Sequence, residues 1–168
     1  MDLLNKYTSL LTLITVITGW IIVNWQNNKR EERKELRSSL NDIGAAIETL
    51  EEDAVRYHTA LERNKPLEKS ITLKIARLSA KIRYLRFESD LLKLNFIELK
   101  KSISLDNFET NRFCQQTPES DLVDCISYSS DQLKDTLEDE FSKLYRGPLR
   151  YRIATSIRSF LTSCKPIR

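Results

Sequence analysis

Tyr7 to Trp25 reads YTSLLTLITVITGWIIVNW, and Lys29 to Arg37 just beyond it reads KREERKELR. The first stretch lies inside a run, Tyr7 to Asn28, without a charged side chain. As a helix, Leu3 to Trp25 would extend about 34 Å against a bilayer hydrocarbon core of about 30 Å, so one slightly tilted span fits. Tyr7 and Trp25 stand at its ends, where amphipathic rings favour the headgroup level. Threonine hydroxyls can bond back to helix carbonyls, which makes Thr8, Thr12, Thr15 and Thr18 tolerable in lipid. A cleaved leader is not expected, because MDLLNK is a weak basic region and IIVNWQNN offers no small-residue cleavage site. A core helix of a soluble protein is not expected to stay charge-free for this long.

The flanks set an expected direction. Lys6 stands before the span, while Lys29, Arg30, Arg33, Lys34 and Arg37 follow it. Lys and Arg concentrate on the cytoplasmic side. The expectation is a single-pass protein of the cell (inner or plasma) membrane, N-terminus outside and C-terminal body cytoplasmic. Inside the span, Thr8, Thr12, Thr15 and Gly19 recur at steps of four and three, the type of small-residue face on which membrane helices approach closely. Thr15 and Leu36 are 21 residues apart, so this line is in phase with the apolar stripe downstream, although a straight helix drifts about 20° per heptad.

Outward from KREERKELR, a strong helix former with opposite charges one turn apart, the spacing becomes heptad-like. Leu36, Leu40, Ile43, Ile47, Leu50, Ala54, Tyr57 and Leu61 lie on one stripe. Asn64, as a left-handed cap, and Pro66, in the first turn of the next helix, are expected to separate it from a second helix. That second stripe runs through Ile71, Ile75, Leu78, Ile82, Leu85, Leu92, Phe96, Leu99 and Ile103, with Ser89 its one polar seam position. Two long amphipathic helices joined tightly imply an antiparallel hairpin. Residues 104–120 read as a loop, with Pro118 the clearest breaker, and Ser120 with Asp121 and Asp124 reads as a helix start. A last segment carries Leu149, Ile153, Ile157, Phe160 and Leu161.

The expected fold is therefore all-α. A transmembrane anchor (residues 1–28, span about 4–25) continues into an antiparallel helical hairpin or coiled coil (29–103). A loop and two C-terminal helices (104–168) complete a small bundle. With 30% charged residues and only 3 Gly and 4 Pro, the composition favours helices over a sandwich or barrel.

Charge comes in blocks: −2 over Met1–Arg63, +6 over Asn64–Ile103, −8 over Ser104–Ser142 and +7 over Lys143–Arg168. Blocks of opposite sign in one small chain are expected to neutralise one another, the acidic third segment lying beside the basic second and fourth. A nucleic-acid partner is not expected, since such a binder is more often basic overall. The basic face Lys74, Arg77, Lys81, Arg83 and Arg86 is a candidate contact for anionic lipid or RNA, and the terminal cations Arg150, Arg152, Arg158, Lys165 and Arg168 for anionic lipid. Cys114, Cys125 and Cys164 are odd in number and fit no zinc or redox spacing, so free thiols in a reducing compartment are expected.

No chemistry is legible. His58 is the only histidine and is expected at the surface or core edge. Glu51, Glu52 and Asp53 read as a solvated helix face. There is no Gly-rich phosphate loop and no Glu-x-x-His pair. No enzyme activity, metal or cofactor is expected. The leading functional expectation is a membrane-anchored interaction or scaffolding module, acting on a protein partner or on itself. The alternative is a membrane-acting effector of the toxin, lysis or defence type, using the Thr-rich span and the basic C-terminal helix.

Overall fold

A computed structural model describes residues 2–146 other than 86, 106 and 111, and of these the side chains of 2–6, 9 and 146 are left aside. The expected last helix and its cations, Arg150 to Arg168, lie outside the described residues. The described residues form four helices and no strand: α1 (Asp2–His58), α2 (Lys65–Tyr84), α3 (Asp90–Ser104) and α4 (Asp121–Arg146). Two compact units divide the chain, Met1–Ser39 and Leu40–Arg168.

The first unit is helical from Asp2 onward, and none of its described side chains is buried. Its large apolar side chains, Leu10 through Trp25, are all exposed. One helix is long and apolar enough to cross a membrane by length and composition, and none of its apolar window is buried by the chain itself. Hydroxyl groups bend back as a lipid-compatible helix requires. Thr12 donates to the Thr8 carbonyl at 2.8 Å, Thr15 to Leu11 at 2.9 Å and Thr18 to Ile14 at 2.7 Å. In KREERKELR the ion pairs close at three residues, Lys29–Glu32 and Lys34–Glu31, each 2.7 Å. Exposed pairs of this kind contribute a few tenths of a kcal/mol.

The second unit holds the core, drawn from all four helices. Ile43, Ile47, Leu50, Ala54 and Tyr57 of α1 are buried, as are Ile71 and Leu78 of α2, Leu92, Leu99 and Ile103 of α3, and Ile126, Leu133 and Leu137 of α4. Each large side chain so placed contributes about 1.5–3 kcal/mol relative to exposure. Helix α3 packs on α4, where Asn95 Nδ2 donates to Thr136 Oγ1 at 2.7 Å. One polar atom in this interior, Ser130 Oγ, finds no hydrogen-bond partner.

Two local outcomes differ from expectation. Leu61 is 83% exposed, because α1 ends at His58 and the heptad has no helix left to act on. Asn64 is the N-cap of α2, with φ −98° and its side chain accepting from the Leu67 N–H at 3.0 Å, instead of a left-handed cap. Pro66, which has no N–H to satisfy, sits in the first turn of α2 as expected.

The largest difference is the second helix, which is broken between Leu85 and Ser89. Ser89 adopts an extended conformation and caps α3, its hydroxyl accepting from the Leu92 N–H at 3.3 Å, with Asp90 in the first turn. Leu85 and Leu92 lie seven residues apart, so the heptad phase survives the break and hides it. Leu85 remains buried; Ile75, Ile82 and Leu36 are half-buried.

Candidate functional site

Where α1 ends, the second unit concentrates its buried polar groups. Tyr57 and His58 are fully buried there, beside the segment 107–116 that follows α3. Tyr57 packs its ring against Phe108 and Phe113, with centroids 4.8 and 5.5 Å away. Its hydroxyl lies 3.2 Å from Glu68 Oε2 and 3.0 Å from the Asn107 carbonyl, two acceptors sharing one proton.

Glu68, also buried, collects the rest. Arg63 grips it through both carboxylate oxygens, Nε to Oε2 and Nη2 to Oε1, each 2.8 Å. The Glu109 N–H donates to Oε1 at 2.6 Å, and Arg63 Nη1 donates to the Thr110 carbonyl at 2.8 Å. Glu109 has φ 53°, a left-handed conformation that costs an L-residue about 1 kcal/mol and here aims its N–H at the carboxylate. The Arg63 guanidinium holds the Glu68 carboxyl below the usual carboxylate range, against the opposing effect of burial. Burial, and then the neighbouring carboxylate, push the Tyr57 phenol up.

Asn107 completes the arrangement. Its Oδ1 accepts from the Cys114 N–H at 3.0 Å and its Nδ2 donates to the Cys114 carbonyl at 2.7 Å, so the amide can point only one way. The same Nδ2 lies 3.3 Å from His58 Nδ1, which is therefore the acceptor. His58 Nε2, 2.9 Å from the Ile103 carbonyl, must then be the N–H. Chemically this cluster is a clamp for the 107–116 segment. Its polar atoms are engaged within the protein, so none is presented as an acid, base or nucleophile to a bound molecule.

Glu51, Glu52 and Asp53 do not converge. Asp53 is buried and pairs with Arg56 and with Lys74 of α2, the latter at 2.6 Å. Among the described residues no group of His, Cys, Asp or Glu is placed to hold a metal ion. An open groove of about 750 Å³ lies between the end of α3 and the start of α4, lined by Lys101, Leu105, Gln116, Asp121 and Cys125 among others. Its Glu98 is already paired with Lys101 at 2.9 Å. Cys114 and Cys125 are exposed free thiols.

The charged surfaces are the other candidates. On α2, Lys74 is taken by Asp53, while Lys69, Arg77, Lys81 and Arg83 are exposed. On α4, Asp121, Asp124, Asp131, Asp135 and Asp139 are exposed along the side away from the core. The acidic block does lie beside part of the basic second block, because α3 packs on α4, but among the described residues no ion pair joins α2 or α3 to α4. The pairs that leave their own helix run from Asp53 to Lys74 and from Arg63 to Glu68. In the first unit, Thr8, Thr12, Thr15 and Gly19 are all exposed, and a Cβ placed on Gly19 would meet nothing within 4 Å.

Comparison with family models, curated proteins and solved structures yields no match.

Glu68 and Asn107 were missed in the sequence. Glu68 had a signal, for it stands three residues before Ile71, in phase with the α2 stripe, and a carboxylate at a seam position implies a buried partner. Asn107 had none, because its side chain bonds the Cys114 backbone within its own irregular segment and the distant His58, and no periodic pattern marks either.

Proposed function

We propose that this chain is a single-pass, membrane-tethered helical module that holds protein partners at the cytoplasmic face and carries no catalytic chemistry of its own. The observation that carries this reading is that the apolar surface of Leu10 to Trp25 is uncovered, whereas the second unit has a core of its own. In water such a surface is costly at about 25 cal/mol per Å², and a bilayer removes that cost. The five cations between Lys29 and Arg37 support a cytoplasmic body. The reading of Leu40 to Tyr84 as an antiparallel hairpin is supported by Asp53–Lys74 and Arg63–Glu68, which pair residues about a turn at 59–64.

The test uses the native thiols. Full-length protein in intact cells is expected to stay in the membrane pellet after alkaline carbonate. Cys114 and Cys125 are expected to react with a membrane-impermeant maleimide only after permeabilisation. Release into the carbonate supernatant would overturn the tether, and labelling in intact cells would overturn the direction.

A further inference from the structure

The outer surface of α2 is basic, and that of α4 is acidic from Asp121 to Asp139. Helix α2 has a single carboxylate, Glu68, and it is buried in the clamp with Arg63; outward stand Lys69, Arg77, Lys81 and Arg83. Helix α4 turns Asp121, Asp124, Asp131, Asp135 and Asp139 outward, and of these only Asp131 has an ion pair among the described residues, with Lys134. Arg77 and Lys81 are four residues apart, as are Asp131 and Asp135, and Asp135 and Asp139. Like charges at that spacing repel on a helix surface, so each stripe is relieved by an opposite one.

The stripes also match in length. Lys69 to Arg83 rises about 21 Å along its helix, and Asp121 to Asp139 about 27 Å. Apolar groups stand among the charges: Leu73 and Tyr84 on α2, 50% and 79% exposed, and Tyr128 on α4, 67% exposed.

We propose that a second copy of this chain is the partner, the basic outer face of α2 in one copy seating on the acidic outer face of α4 in the next. Anionic lipid or nucleic acid would engage α2 alone and leave the acidic stripe unused, whereas a second copy uses both. The two surfaces are different patches of one chain, so the contact either propagates head to tail into a row or ring or, used reciprocally, closes a two-fold pair. A single helix-on-helix contact is smaller than the roughly 800 Å² per partner of a stable complex. It therefore rests on the tether reading, in which confinement to one membrane raises the effective concentration.

The experiment reconstitutes the full chain in phosphatidylcholine liposomes at low density. An equal mixture of ¹⁴N- and ¹⁵N-labelled copies is treated with a zero-length carbodiimide, and mass spectrometry separates links between copies from links within one. Mixed-isotope links between α2 lysines and α4 aspartates are expected, falling at least tenfold from low salt to 0.5 M as screening shortens. Reversal of the basic face (Arg77→Glu with Lys81→Glu) or of the acidic face (Asp135→Lys with Asp139→Lys) should each abolish association. Mixing the two reversed proteins should restore it. All four positions are exposed, so the melting temperature serves as the folding control.

Association that survives reversal of α2 but not of α4 would overturn the proposal and assign the acidic stripe to the basic segment 147–168. Reversal of α2 that removes binding to anionic vesicles, with no links between copies in neutral ones, would overturn it in favour of lipid. Failure of the mixture to associate would do the same to the proposed pairing. Flotation separates the two readings: a chain that floats with liposomes without linking loses only the self-association, and one that does not float loses the tether as well.

Discussion

Ile14, Ile17 and Ile21 belong to the same helix as Ile43 and Ile47, yet the first three are about half exposed, at 55%, 49% and 55%, and the last two are 1% and 0% exposed. The stretch from Leu10 to Trp25 carries apolar side chains around the helix and buries none of them. The stretch from Leu40 onward has a single stripe, and the other helices close over it. A residue type therefore carries no fixed role. An apolar side chain on one face recruits other parts of the chain, while apolar side chains on every face require an apolar surrounding that the chain does not provide.

The strongest way to break this contrast is to charge the first region. Ile14→Arg with Ile17→Arg places two cations mid-span at about 2.5–3.5 kcal/mol each, so about 5–7 kcal/mol together. The protein is expected to move from the carbonate pellet to the supernatant while thermal unfolding of its body is unchanged. A variant that stays in the pellet would contradict the span.

Next comes the clamp, which belongs to the second region alone. Glu68→Ala strips partners from Arg63, Tyr57 and the Glu109 N–H together, and removing one member of a buried pair costs about 3–5 kcal/mol. Urea unfolding should report that loss while membrane integration persists. An unchanged midpoint would mean that the 107–116 segment is held by other contacts.

The same carboxylate predicts an acid limit. A group with a lowered pKa in the folded state contributes its stability above the ordinary carboxylate range and loses it as pH falls through the folded value. The body is thus expected to lose stability below about pH 4, and Glu68→Ala should flatten that dependence. The raised Tyr57 phenol has the opposite sign, with stability retained below about pH 10 and lost as pH climbs beyond it. An acid-unfolding curve that Glu68→Ala leaves unaltered would remove the carboxylate from this account.

The smallest effect comes from two glycines of one helix. A Cβ on either Gly19 or Gly44 would meet nothing within 4 Å. Gly44→Ala should stabilise the body by about 1 kcal/mol through helix propensity. Gly19→Ala, in the other region, should leave the melting of the body where it is. Equal shifts from both would show that the two regions unfold as one.

Much of the helical organisation was legible because it follows from local rules. The charge-free run, the stripe from Leu40 to Tyr57, the turn around Asn64–Pro66 and the start at Ser120 need only side-chain periodicity and unsatisfied backbone groups at helix ends. The break at Leu85–Ser89 was illegible because a seven-residue step preserves the pattern whether or not the helix continues. Sequence pattern alone puts His58 at the surface or core edge and Asp53 on a solvated face, yet both are buried. Their partners, the Ile103 carbonyl and Lys74, lie 45 and 21 residues away, and no local rule connects them.

By itself, then, the sequence determined that the chain is helical, where its first long helix is apolar on every side, and where apolar stripes demand cover. Only the tertiary structure decided which polar groups are buried and which charges stay outside. Periodicity is a property of neighbouring residues along one axis, whereas burying a charge depends on a counterpart brought from elsewhere in the chain. Arg63 reaches Glu68, Lys74 reaches Asp53, and the outer cations of α2 and the carboxylates of α4 are left on the surface, with no ion pair between the two helices among the described residues.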